Sequence, residues 1–369
     1  MPVPAAEPQR VERLFVRGFR NLRTLDLVPG TQFNVLHGDN GAGKSSLLEA
    51  IHYLGALRSF RGARTDDLIQ LGEGSAVLKA RMTGGAFPRV FEVGLSRTGP
   101  RRVVLDGKRP RSIAAWHGAV HVVLFHPGDL ELASGGADAR RAFLDRILEQ
   151  MDPTYASTLA AYEKALRSRN RLLKQEDVDR RSITAFDALL SQSGAVLGRC
   201  RDELVRDLAP RVERAFGEVI GDEVPLSVRY RPRVPPDAEA IREALEASYE
   251  KDRARGFTAE GPHGDDLALE VRKVAARHHA SQGQHRAMVL ALKVAELDVL
   301  TARTGFVPVL LLDDVSSELD RSRNRRFFGM LSRMGGQVFL TTTHPEFILI
   351  DEGRTDFRVS AGEVARVGA

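Results

Sequence analysis

Apolar positions in the first third of the chain recur with a period of two. Residues 11–16, 25–28, 33–36, 76–82, 90–95 and 120–125 read as strands, punctuated by glycines and prolines. Residues 44–57 interrupt them with helical spacing, so the pattern predicts an α/β lobe with a curled antiparallel layer. From about Ala139 the period lengthens: Phe143, Ile147 and Met151 share a helical stripe, and Asp152-Pro153 offers a cap and a first-turn residue. Helical patterning continues through 182–208, is expected to break at Pro210, and resumes to about Arg255 around a β-like interruption at 226–230. After Asp266 come a strand, a long helix at 283–303, an apolar strand at 307–312, a helix, a strand at 338–342 and a short end. That alternation favours a parallel core. The expected division is lobe I from residues 1–136 and 285–369, and a mainly helical lobe II from 137–284.

A length of 369 residues agrees with two lobes, since one hydrophobic core rarely grows so large. With 43% hydrophobic and 28% charged residues, the chain falls outside the disordered and fibrous classes. The formal charge is +5, mostly an excess of arginine, which favours polyanionic partners or is simply a solvated basic surface. A single cysteine, Cys200, cannot form an internal disulfide, and no Cys/His cluster has zinc spacing, so a cytoplasmic protein is expected. The opening MPVPAAEPQRVERLF has prolines and charges where a secretion signal needs an apolar run. The apolar run at 307–312 is far shorter than the about 20 residues of a spanning helix, so no membrane partner is expected.

Chemistry enters at the end of the third strand. FNVL runs into GDNGAGKS, followed by the amphipathic SLLEAIHYL, which is the strand, loop and helix that the phosphate-binding pattern G-x-x-x-x-G-K-S requires. Gly38, Gly41 and Gly43 let backbone N–H groups, with those of Asp39, Asn40, Ala42 and Ser46, crowd round phosphate oxygens. Lys44 is placed for the β- and γ-phosphates and Ser45 for Mg²⁺, with ATP and GTP both open at this point. The apolar run VLLL ends in Asp313 and Asp314. Asp313 is suited to hold Mg²⁺ through water and Asp314 to orient or polarise an attacking water; an ordinary helix cap is the alternative. Ser281-Gln282-Gly283-Gln284 heads the long helix, either as a plain cap or as an anion site suited to a γ-phosphate. Ser317-Glu318-Leu319-Asp320 and Thr341-Thr342-Thr343-His344 follow.

Taken in order, these segments resemble the phosphate loop, signature, paired acids, D-loop and switch histidine of ABC ATPases, which makes ATP the expected nucleotide. Four further stretches narrow the resemblance: Gly18-Phe19-Arg20-Asn21, Pro127-Gly128-Asp129-Leu130, Arg140-Arg141-Ala142-Phe143-Leu144-Asp145 and Gly261-Pro262-His263-Gly264-Asp265-Asp266-Leu267. With the SQGQ form of the signature, the chain resembles the RecF family from Arg20 to His344. The resemblance implies a mixed-sheet ATPase lobe with an antiparallel layer, a helical second lobe and no long coiled coil. It also implies ATP-driven homodimerisation on double-stranded, gapped or junction DNA, and work with RecR, RecO and RecA in repair, replication and the SOS response. By the same resemblance Asp314, His344 and Lys44 are catalytic, Arg20 and Asp320 lie near the nucleotide, and Ser281 to Gln284 act across the dimer. Gly128 and Gly264 replace the Glu and Arg usual in the family, and no glutamine stands at 123–129 where a Q-loop ligand is expected. The competing classes are a transporter's nucleotide-binding subunit, an SMC-like structural ATPase and a small-molecule kinase. Two basic segments are candidates for DNA: Lys164, Arg167, Arg171 and Lys174 at helical spacing, and Arg101, Arg102, Lys108, Arg109 and Arg111 around a turn at Asp106-Gly107.

Overall fold

The run Val309–Leu312 is buried on both faces, the environment of a parallel sheet with covered faces. The structure, a computed structural model, describes residues 6–84, 87–177, 179–220, 224–314, 321–350 and 352–368. Val122–Phe125 and Val338–Thr342 flank that strand, both parallel to it. Phe33–His37 pairs next to Val338–Thr342, and Arg354–Ser360 next to Phe33–His37, again in parallel. Glu363–Arg366 closes the edge antiparallel, giving six strands. The last two come from a segment that reads in sequence as a short end. Only Phe357 and Val359 are buried there, too few apolar residues to announce a strand. Pro308 also divides the apolar run read as one strand: Phe306–Val307 pairs with Glu7–Pro8, and Val309–Leu312 enters the large sheet.

A second sheet of five antiparallel strands has the order Leu22–Leu27, Arg10–Phe19, Ser75–Thr83, Arg89–Ser96 and Arg102–Leu105. Its alternating inner residues, among them Leu14, Val16, Leu78, Phe91 and Val93, share one core with the helix Lys44–Ala56 and the large sheet. Both sheets belong to a unit formed by residues 1–129, 218–220 and 293–369.

Residues 130–217 and 221–292 form the other unit. Its boundary at 292/293 falls within the long helix Gln282–Thr304 rather than at that helix's start. Asp152 accepts the Thr154 N–H at 2.8 Å and Pro153 takes the first position of the helix Pro153–Leu173. The expected break at Pro210 does not occur, because the helix Arg180–Ile220 runs through it. Proline removes one donor and crowds the preceding turn, but Leu208 and Val212 on either side are fully buried, and packing holds the two halves as one helix. Leu226–Arg231, Asp266–Val271 and Val274–Ala275 form a three-stranded antiparallel sheet.

The family-like stretches at 140–145 and 261–267 hold this unit together. Arg140 forks onto Asp266 at 2.7 and 3.0 Å, and Arg141 donates to the Asp265 carbonyl at 2.6 Å. Arg201 forks onto Asp145 at 2.8 and 3.0 Å and donates to the Pro262 carbonyl at 2.7 Å. Arg169, with no exposed surface, donates to Asp187 at 2.7 Å and to Asp252 and Thr258 at 2.8 Å. Removing a guanidinium of this kind strands two buried carboxylates, so Arg169→Ala is expected to cost about 3–5 kcal/mol in urea unfolding. A cost under about 1 kcal/mol would show that the network breaks even with solvent.

Candidate functional site

The buried strand Phe33–His37 ends at Gly38, and the loop 38–43 turns into the helix Lys44–Ala56. Gly38, Gly41 and Gly43 have φ of 149°, 80° and 117°. At Gly38 a Cβ would stand 2.1 Å from the Val359 carbonyl oxygen, so the position excludes any side chain. The loop is held from two sides: Asn21 Nδ2 donates to the Gly41 carbonyl at 3.0 Å, and the Gly362 N–H donates to the Ala42 carbonyl at 2.8 Å. Lys44 is only 9% exposed, and its ammonium donates to the carbonyls of Gly38 at 2.6 Å and Asp39 at 2.8 Å. Burial pulls the Lys44 pKa below the usual lysine value, while the charges of Asp314, Asp313 and Asp39 act in the opposite sense. Ser45 is half-buried and Ser46 buried in the first turn, with Asp39 and Asn40 exposed on the loop.

The two acids stand where Val309–Leu312 ends. The Asp313 N–H donates to the Phe125 carbonyl at 2.9 Å, and its Oδ1 accepts the Thr341 hydroxyl at 2.8 Å. The same Thr341 oxygen accepts the Asp314 N–H at 3.0 Å, with Asp314 at φ 56°. One hydroxyl on a residue 2% exposed therefore fixes the carboxylate of one acid and the backbone of the next. Sequence reasoning quoted Thr341 beside His344 and gave it no role. A buried hydroxyl at the end of the strand next to the acids was the available signal.

Arg20 lies in the turn between Arg10–Phe19 and Leu22–Leu27 at φ 54°. Its guanidinium forks onto the fully buried Glu49 at 2.9 and 3.0 Å and donates to the Asp67 carbonyl at 3.0 Å. A cavity of about 710 Å³ gathers Arg20 with Asn40, Gly41, Gly43, Lys44, Ser45, Ser46 and Asp314. Small-molecule sites span about 300–1,000 Å³. Arg61, Arg97, Asn21 and Thr341 also line it and were not singled out from sequence as site residues. Arg61 Nη2 is 3.9 Å from Asp313 Oδ2. Isolated arginines in loops and strands carry no motif, so only the tertiary arrangement reveals them.

His344 does not join this lining, although Thr341 and Thr343 do. Its side chain is 62% exposed, with Nδ1 3.1 Å from Glu346 Oε1. Asp320, predicted near the nucleotide, lies outside the described residues. In the other unit, Ser281 Oγ accepts the Gln284 N–H at 3.2 Å and Gln284 Oε1 accepts the Ser281 N–H at 2.8 Å. That is a reciprocal capping box, which leaves the first-turn N–H groups of Gln282 and Gly283 outside it.

With this geometry in place, comparison with known proteins is decisive. The family model described as the RecF/RecN/SMC N terminal domain matches residues 10–88. A DNA replication and repair protein RecF of Myxococcus xanthus is 40% identical over 347 residues, covering 90% of each chain. One from Geobacter sp. is 36% identical over 362 residues, covering 95% of this chain and 98% of its own. The chain belongs to the RecF family. A solved structure of the recombination mediator protein RecF with ATP, in the RecFOR pathway, is similar with a TM-score of 0.90 at 30% identity, covering all of both chains. An Smc head domain from Pyrococcus furiosus shares the fold, with a TM-score of 0.58 at 16% identity over 97% of this chain and 96% of that one.

The two glycines that depart from the usual RecF pattern stand in tight surroundings. A Cβ at Gly128 would stand 2.6 Å from the His126 ring, and one at Gly264 would stand 3.0 Å from Arg233 Cγ. Neighbouring side chains thus crowd both positions.

Thr341→Val deletes the hydroxyl shared by Asp313 and Asp314 at little change in volume. It is expected to lower stability by about 1–3 kcal/mol, with Thr341→Ser near wild type, because two buried polar groups lose their partner. Thermal melting of the three proteins checks this, and an unshifted valine variant would contradict it.

Proposed function

We propose that this chain is an ATP-dependent recombination mediator of the RecF type, which binds DNA and serves repair, replication and the SOS response in the cytoplasm. The observation that carries this reading is the cavity between the glycine loop and the Thr341-linked acids, in a chain similar over its full length to an ATP-bound RecF. Backbone N–H groups of the loop and the helix start receive the triphosphate, and Lys44 exchanges its loop carbonyls for phosphate oxygens.

The residues at hand fit Mg²⁺, which prefers oxygen donors supplied by a hydroxyl, one or two carboxylates and the phosphates themselves. Ser45 and Asp313 would hold it, and bound Mg²⁺ neutralises charge on the β- and γ-phosphates. Asp314 orients a water for attack on the γ-phosphorus, its backbone fixed by Thr341. The bond to the β-phosphate oxygen breaks and inorganic phosphate leaves with ADP. His344 and Asp320 take their places when a second subunit completes the site. Ser281, Gln282, Gly283 and Gln284 of that second copy present helix-start N–H groups to the γ-phosphate, so ATP binding closes a homodimer and slow, DNA-stimulated hydrolysis reopens it. In the RecFOR pathway the dimer marks double-stranded DNA at gaps and junctions, meets RecR, and with RecO leads to RecA loading.

Among the described residues no helix is long and apolar enough to cross a membrane. Lys44→Met is expected to abolish ATP binding. Ser281→Arg is expected to keep ATP binding and lose ATP-dependent dimerisation, since the new side chain fills the place of the partner's γ-phosphate. Sedimentation with and without ATP, repeated with gapped duplex DNA, checks both. A Ser281→Arg protein that still dimerises on ATP refutes the cross-subunit site.

A further inference from the structure

The strands Asp266–Val271 and Val274–Ala275 are joined by a two-residue turn, Arg272-Lys273. Both turn residues have positive φ, 52° and 68°. A two-residue hairpin turn of the I′ type needs this conformation, which Asn-Gly meets with little strain. A residue with a larger side chain is strained in the left-handed region. Here the turn is filled by two long cations instead, and both are exposed. Arg277 follows on the short helix Ala276–His279, also exposed, and four residues later the chain reaches Ser281.

The cations of this segment are unpaired, unlike their neighbours in the small sheet. In the same small sheet Arg229 and Arg231 both bind Glu270, and just beyond it Arg233 forks onto Glu260. Among the described residues Arg272, Lys273 and Arg277 form no ion pair. Neither of the other basic candidates holds its cations in left-handed backbone. Lys164, Arg167 and Arg171 are exposed along Pro153–Leu173 and Lys174 just beyond it, but Arg167 pairs with Glu163 at 3.4 Å, and a helix face of this kind needs no ligand. At the Asp106-Gly107 turn, Arg101 is committed to the Leu57 carbonyl, while Arg102, Lys108, Arg109 and Arg111 are exposed and form no ion pair among the described residues.

We propose that the Arg272-Lys273 hairpin tip, with Arg277, is a contact surface for the phosphate backbone of double-stranded DNA. The proposal rests on the reading of the chain as a DNA-binding ATPase and adds to it the surface that DNA meets. Paired cations at the end of a two-stranded ribbon grip successive phosphates and read no bases, giving salt-dependent and sequence-tolerant binding.

The double variant Arg272→Asn with Lys273→Gly separates fold from function, because it relieves the backbone while deleting the charges. It is expected to melt no lower than wild type and to bind ATP equally well. Its affinity for duplex DNA at 0.1 M salt should fall about ten-fold or more, and the slope of log affinity against log salt should shrink by about 1 to 2. Arg272→Gln with Lys273→Gln keeps the side-chain bulk and removes the charge, and it carries the test if the first variant folds poorly. Unchanged affinity and slope in a folded double variant, with wild type binding DNA normally, overturn the proposal alone. Wild-type protein that binds no DNA with or without ATP overturns the functional reading and the proposal with it. Lys164→Ala with Arg171→Ala is the control: a loss there in place of the hairpin moves the DNA surface to the long helix and refutes this assignment.

Discussion

The glycine loop stays open because the carboxyl-terminal hairpin props it from outside. Gly38 admits no side chain because the Val359 carbonyl occupies the space, and two residues past that strand the Gly362 N–H holds the Ala42 carbonyl. Arg354–Ser360 in turn pairs along the whole of Phe33–His37. Strand pairing, close backbone approach and one hydrogen bond thus fix the loop before any phosphate arrives. Preorganisation of this kind spares a nucleotide the entropy of ordering its own site.

The acids depend on the same sheet. Parallel strands bring Val309–Leu312 and Val338–Thr342 side by side with their carboxyl ends together, and open α/β sheets place ligands at such ends. Thr341 is therefore one strand away from Asp313 and Asp314, and its hydroxyl both donates to one and accepts from the other. Arg20 joins from the antiparallel sheet through the buried Glu49 on the helix that follows the loop. A single core serves both sheets, and segments distant in sequence converge on one cavity.

In the helical unit the polar stretches shared with relatives act mainly on each other. Arg140 ties the helix Ala137–Met151 to Asp266 at the start of a small-sheet strand, and Arg201 on Arg180–Ile220 ties a second helix to Asp145 on the first. Ser281 and Gln284 close a capping box at the head of the signature helix. The turn Arg272-Lys273 differs, since both residues stand at positive φ with exposed cations, unpaired among the described residues.

What the sequence alone determined was local: the phosphate loop between its strand and helix, the paired acids after an apolar run, the Asp152-Pro153 cap, and the order of motifs that marks the RecF family. Each is written in neighbouring residues whose chemistry and spacing are sufficient. Tertiary structure alone decided that Pro210 sits inside a helix, since burial on both sides outweighs a lost donor, and that the weakly apolar 354–366 segment builds the sheet edge behind the loop. It also decided that Thr341, Arg61 and Arg97 face the cavity and that His344 does not. Those placements depend on which strands lie adjacent, and adjacency is set by packing between residues hundreds of positions apart.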